Sequence, residues 1–138
     1  MLTLVVDTNI LISSLISDKG YSYKVVQAGV SGKVKLVSSL PMMEELKDVL
    51  TTEDKFLMTS QEAEMVIEKF CEFIHLVDTT GIPTPEVDNQ PDHIVLQCAE
   101  AAKADYIVTG DLKLQELKKY KQTIVVTPRQ MMEIIQNF

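Results

Sequence analysis

The chain is poor in the residues that staple a domain together: 138 residues contain two cysteines, two histidines and no tryptophan. Cys71 and Cys98 lie far apart, and with so few histidines no Cys/His cluster of zinc spacing can be drawn, which excludes zinc-finger and zinc-ribbon folds. Both thiols are expected to be free and buried, as unpaired cysteines usually are. Five glycines and five prolines leave little material for linkers or low-complexity segments. Positive charge is scarce as well: 13 Lys and Arg face 20 Asp and Glu, for a formal charge of −7. A protein that holds nucleic acid through phosphate contacts alone carries the opposite balance, so either nucleic acid is not the substrate or bound cations offset the acids locally. Long apolar runs are missing too, none approaching the roughly 18 residues a membrane span requires. The opening MLTLVVDTNILISSLIS has no basic leader, carries Asp7 in its middle and lacks a small-residue cleavage site, so it does not read as an export signal. A single domain over residues 1–138 is expected, cytoplasmic and with no membrane partner; a chain of this size buries roughly 70% of its unfolded surface without staples.

What the sequence does contain is alternation. Leu2 to Val6 is a short apolar run and Asn9 to Ile16 is apolar at helical spacing, which reads as strand then helix. Tyr21 to Val30 reads as a second helix and Val34 to Val37 as a strand. A third helix starts after Ser38 or Ser39, with Pro41 in its first turn, and runs to about Leu50. Ser60 opens a helix whose Gln61 to Phe73 stretch places Ala63, Val66, Ile67 and Phe70 on one stripe, and Ile74 to Val77 is again apolar and short. Gly81 to Pro91, with Pro83, Pro85 and Pro91, is the one loop-like stretch and the best candidate for an irregular active-site connection. Asp92 to Ala102 is then helical, Tyr106 to Val108 a strand, Asp111 to Lys119 a helix, Thr123 to Val126 a strand and Pro128 to Gln136 a final helix. Strands that alternate with helices and lack polar alternation belong to a parallel sheet covered on both faces, an α/β three-layer sandwich. In such sheets ligands bind beyond the carboxyl ends of the strands, so acids placed just after strands matter most.

Asp7 and Asp111 meet that criterion, and Glu45 and Asp92 can reach the same edge from helices, each of the four with a plainer explanation beside it. Asp7 follows the first strand and Asp111 follows the strand Tyr106 to Val108, in a TGD turn; both are also good helix N-caps. Glu45 lies at the flank of a buried stripe of Met42, Met43, Leu46, Val49 and Leu50, whereas Glu44 points away from it; the plainer reading of Glu45 is a boundary charge. Asp92 aligns with Val95, Leu96 and Ala99 on a sheet-facing line, and a favourable helix-dipole contact is its rival explanation. Four carboxylates at one sheet edge would repel one another unless a cation sat between them, and hard oxygens with few His or Cys select Mg²⁺ or Mn²⁺.

The sequence resembles the PIN domain family, and within it the toxin-like branch. The resemblance is carried by VVDTNILIS at Val5 to Ser13, MEELKDVL at Met43 to Leu50, PDHIVLQCAEAAKADYIVTGD at Pro91 to Asp111, and TPRQMMEII at Thr127 to Ile135. It implies a parallel sheet of about five strands in flavodoxin-like order and a Mg²⁺- or Mn²⁺-dependent endoribonuclease acting on single-stranded or structured RNA. The family's acidic positions fall on Asp7, Glu45, Asp92 and Asp111, as both metal ligands and catalytic groups. Asn9 and Thr109 match polar positions expected to orient those acids or touch phosphate. Many relatives dimerise and are inhibited by a cognate antitoxin. One departure stands out: where many relatives place a further acid two residues after TGD, this chain has Lys113, which weakens the case for a second metal and offers a point charge for phosphate instead.

Three rivals remain on sequence grounds. A catalytically weak module with the same fold, acting through a protein partner, is favoured by Lys113. A phosphoacceptor receiver domain wants paired acids after the first strand and a late lysine, neither of which is supplied by Asp7-Thr8 or Thr127-Pro128. An aspartyl-nucleophile phosphatase would need an acid where Asn9 stands.

Overall fold

The alternating segments build a doubly wound sheet. A computed structural model of the chain describes residues 1–88 and 90–138, with the backbone only at Gln90 and Pro91; Asn89, within the expected loop from Gly81 to Pro91, lies outside the described residues. In order these residues form β1 (Thr3–Val6), α1 (Thr8–Ile16), α2 (Tyr21–Val30), β2 (Lys35–Ser38), α3 (Leu40–Thr52), α4 (Ser60–Cys71), β3 (Ile74–Leu76), α5 (Gln90–Ala102), β4 (Tyr106–Val108), α6 (Leu112–Glu116), β5 (Lys119–Tyr120), β6 (Thr123–Val126) and α7 (Pro128–Asn137). The sheet runs β3-β2-β1-β4-β6-β5, its first five strands parallel and β5 antiparallel to β6. The expected α/β class and parallel core are therefore present. In detail the order differs from the 2-1-3-4-5 of flavodoxin, because β3 extends the sheet beyond β2 before the chain crosses back over β1 to β4. That reversal makes the gap above β1 and β4 the topological switch point.

Each central strand serves two cores. Leu4, Val6, Leu36, Val108 and Val126 face a layer that includes Ile10 and Leu11 of α1, Val25 and Val26 of α2, Leu46 of α3 and Met131 of α7. Val5, Val37, Ile107 and Val125 face Val95, Leu96 and Ala99 of α5 and Leu114 of α6. Burial on both faces is why the strand sequences read as unbroken apolar runs. Helix starts are specified locally: Ser39 caps α3 by accepting from the Met42 N–H, and Thr59 and Thr127 form reciprocal capping boxes with Glu62 and Gln130. The cap of α4 is thus Thr59, one residue before the expected start.

Two expectations fail. The helix expected from Asp111 to Lys119 ends at Glu116, because it has only Leu114 to bury while β6 offers an open edge. Lys118 turns left-handed at φ 60°, the chain reverses into β5, and a second left-handed residue, Lys121 at φ 55°, closes the hairpin. Lys118, Lys119 and Lys121 therefore sit at this hairpin. Cys71 is exposed, not buried: it is the last residue of α4, about 100° around the helix from the buried Phe70. Cys98 is buried in α5 as expected, and burial pushes its thiol up to about 12. Among the described residues no helix is long and apolar enough to cross a membrane.

Candidate active site

β1 delivers Asp7 to the carboxyl edge of the sheet, where its main-chain N–H still bonds to the Val108 carbonyl across the β1–β4 gap (3.0 Å). The side chain is 8% exposed and heavily held. One carboxylate oxygen accepts from the Thr8 N–H (2.7 Å); the other accepts from the Thr109 hydroxyl (2.7 Å) and the Asn9 amide (3.3 Å). Asp7 is thus an N-cap, as its plainer reading required, and that does not exhaust it, since a carboxylate has about four lone-pair sites.

Thr109 ties the second acid to the first. Fully buried just after β4, its hydroxyl donates to Asp7 and accepts from the Asp111 N–H (3.0 Å). Asn9 makes a parallel link, donating to Asp7 and accepting from the Gly110 N–H (3.3 Å). Asp111 in turn caps α6 by accepting from the Lys113 N–H (2.9 Å). Lys113 contributes its backbone here, and its side chain is exposed.

α3 and α5 bring the other two acids. Glu44 is exposed and Glu45 half-buried, as the helical stripe required. Asp92 is 6% exposed in the first turn of α5. All four carboxylates border one cleft of about 200 Å³, with Thr8, Asn9, Ile12, Val49 and Val95 completing its wall. A roomier hollow of about 680 Å³ lies between β6 and α7, but Glu133 is the only acid on its wall, so chemistry rather than volume marks the site. No described residue of the proline-rich loop lines the cleft; its part is to lead into α5, against which it rests through the Gln97 amide and the Ile82 carbonyl (3.1 Å).

The electrostatics are those of crowded acids. Burial pushes the Asp7 carboxyl above its ordinary value of 3.8, the Thr109 hydroxyl and Thr8 N–H pull it back, and Asp111 and Asp92 push it further up. Burial likewise raises Glu45 above 4.5; the Thr8 hydroxyl pulls it down, and Asp7, Asp48 and Asp92 push it up. That hydroxyl is buried and makes no hydrogen bond of ordinary geometry, although it acts on Glu45. A hard divalent cation suits this set: it would reverse the repulsion, and all four acids are oxygen donors. As placed, however, no group of three or more His, Cys, Asp or Glu among the described residues is gathered closely enough to hold an ion, so binding would require the carboxylates to draw inward.

Sequence reasoning missed two contributors. Thr8 was passed over between two more conspicuous neighbours, though a hydroxyl at the first position of a helix beside a buried acid is a signal. Gln115, whose amide donates to the Thr109 carbonyl (2.8 Å), has no sequence signature, because its role depends on where the turn carries it.

A doubly wound α/β domain with carboxylates converging at its switch point defines the class of this molecule. The PIN domain family profile matches residues 3–113, and the chain belongs to that family, whose members are generally nucleases. Among solved structures it is similar to VapBC2 from Rickettsia felis, described as bound to a DNA fragment from their promoter. The TM-score is 0.65 at 13% sequence identity, over 91% of this chain and 98% of that one. At that identity the likeness is one of fold. No curated protein matches the sequence.

Proposed function

We propose that this chain is a metal-dependent endoribonuclease and the toxin of a toxin–antitoxin pair. The observation that carries the reading is the convergence of Asp7, Glu45, Asp92 and Asp111, from four separate elements, on one cleft where burial and mutual repulsion raise two of them. Asp7, Asp92 and Asp111 would hold Mg²⁺ or Mn²⁺, with Glu45 completing the set or positioning water. When bound, the ion supplies Lewis acidity, lowering the pKa of an attacking water and offsetting charge at phosphorus. Asn9 and Thr109 fix the directions of Asp7 and of the Gly110–Asp111 turn, and Ile12, Val49 and Val95 limit water around the acids. In the hydrolysis the water oxygen joins phosphorus, one bridging P–O bond breaks, and the departing ribose oxygen takes up a proton. The substrate is single-stranded or structured RNA, and Lys113 stands close enough in sequence to Asp111 to meet a flanking phosphate. A fold neighbour that is itself a VapBC complex supports a cognate antitoxin as partner; a cytoplasmic location and a homodimeric state are part of the same proposal.

Purified protein incubated with single-stranded RNA and Mn²⁺ is expected to cleave it, while EDTA and Asp7→Asn abolish cleavage. Equal cleavage in all three conditions would refute the assignment. A second reading, a catalytically weak module acting through a protein partner, is favoured by Lys113 and by the spread of the carboxylates as placed. Calorimetry separates the two, since no binding at millimolar Mn²⁺ selects the module.

A further inference from the structure

Gln115 occupies a position that the ladder between β4 and β6 leaves open. The Thr109 N–H donates to the Val126 carbonyl (3.0 Å), which is the last rung of that parallel pairing. In a parallel ladder the Thr109 carbonyl would next receive an N–H from residue 128, two places further along the partner. Residue 128 is proline and has no N–H. The fully buried Thr109 would thus keep an unpaired carbonyl, and the Gln115 side chain supplies the missing donor at 2.8 Å. Gln115 is also bonded through its own N–H to the Asp111 carbonyl (3.0 Å), so one residue grips the turn at both ends.

We propose that Gln115 is a positioning residue for Asp111 and Thr109, setting the direction of the cleft's β4-side carboxylate; the proposal rests on the metal-dependent reading above. α6 spans only Leu112–Glu116, too short to hold itself in place, since isolated helices become stable only beyond roughly 12 residues. Its orientation is set by two anchors, the buried Leu114 and the Gln115 amide. Leu114 fixes how deeply the helix sits. The amide fixes how the Thr109–Gly110–Asp111 turn faces Asp7, because the same Thr109 that takes the Gln115 bond through its carbonyl gives its hydroxyl to Asp7. Gln115 does not line the cleft and touches no reacting atom, so it acts only through Thr109 and Asp111.

The test compares the intact chain with Gln115→Ala, and with Gln115→Met, which keeps the length, loses the donor and adds no charge. Three quantities are read: Mn²⁺ affinity by calorimetry, the thermal midpoint, and hydrogen exchange of residues 109–111 in metal-free protein. Groups that orient metal ligands typically change affinity or activity by about 10–100-fold when removed, so both variants should bind Mn²⁺ at least tenfold more weakly and lose kcat rather than KM. The midpoint should move little, and exchange should quicken at 109–111 but not across β1 and β2. Unchanged Mn²⁺ affinity in both variants overturns the proposal, as does a loss of affinity matched by general destabilisation. Should the unaltered chain itself bind no Mn²⁺, the metal reading fails separately; exchange then decides for Gln115, local quickening supporting the proposal and its absence overturning it.

Discussion

Thr109→Val removes the hydroxyl that joins the two halves of the site while keeping its shape. Thr109 is fully buried, its Oγ1 donates to Asp7 at 2.7 Å, and the same oxygen accepts from the Asp111 N–H at 3.0 Å. A hydrogen bond to a charged group contributes about 1.5–3 kcal/mol, and a buried amide left without a partner costs about 1–3 kcal/mol. Asp111 is half-buried, so water can satisfy part of the second loss, and a net cost of about 2–4 kcal/mol in metal-free protein at pH 7 follows. For a chain of this size that lowers the melting midpoint by on the order of 10 °C. The pH dependence has a definite sign. The Thr109 hydroxyl pulls the Asp7 pKa down, so the variant's Asp7 titrates still higher than the already raised carboxyl of the unaltered chain. The damage is therefore fullest where Asp7 is ionised and shrinks as pH falls through its raised pKa. Urea unfolding of both proteins at neutral and acidic pH measures this. A cost below about 1 kcal/mol at pH 7, or a cost that grows on acidification, refutes the reasoning.

Asp7 and Glu45 both bind protons more readily folded than unfolded, so their contribution to stability is present below the ordinary values of 3.8 and 4.5 and is lost as pH rises through the raised ones. Urea midpoints of metal-free protein should fall as pH rises above those ordinary values, and Mn²⁺ should flatten that slope; the same slope with and without metal would count against the crowding of the acids. Lys113→Asp replaces a cation close in sequence to Asp111 with an anion while keeping the main-chain N–H that donates to Asp111, so Mn²⁺ should bind roughly tenfold more tightly by calorimetry, equivalent to about 1.4 kcal/mol, and unchanged binding would contradict this. Gly29→Ala should destabilise despite the better helix former: the added Cβ would lie 2.3 Å from Leu36 Cδ1 in the core, and overpacking of about 1–3 kcal/mol outweighs a helix gain of about 1 kcal/mol. A thermal melt at or above that of the unaltered chain would contradict this.

The sequence made the layering legible because hydrophobic period is a local property. The apolar run Leu4 to Val6 could bury both faces only inside a parallel sheet, and the helical stripe through Met43, Leu46 and Leu50 separated Glu45 from Glu44. All four acids border one cleft, and they were legible because strand ends mark Asp7 and Asp111 while helical periodicity turns Glu45 and Asp92 towards the sheet. What escaped depends on tertiary competition. The helix after Asp111 gave way to a hairpin because the open edge of β6 could be paired, a fact about a neighbour rather than about residues 112–119. Cys71 lies outside because it falls about 100° around α4 from the buried Phe70. Gln115 escaped for the most indirect reason, since its amide answers a donor missing at Pro128, the first residue of α7 just beyond β6.

The proposed function stands or falls on whether the four carboxylates form one divalent-cation site. Anomalous diffraction at the manganese edge from crystals grown with Mn²⁺ tests it most directly. A peak is expected within the cleft, with oxygens of Asp7, Asp92 and Asp111 drawn in around it. Manganese bound at another surface while these side chains keep their present spread would contradict it.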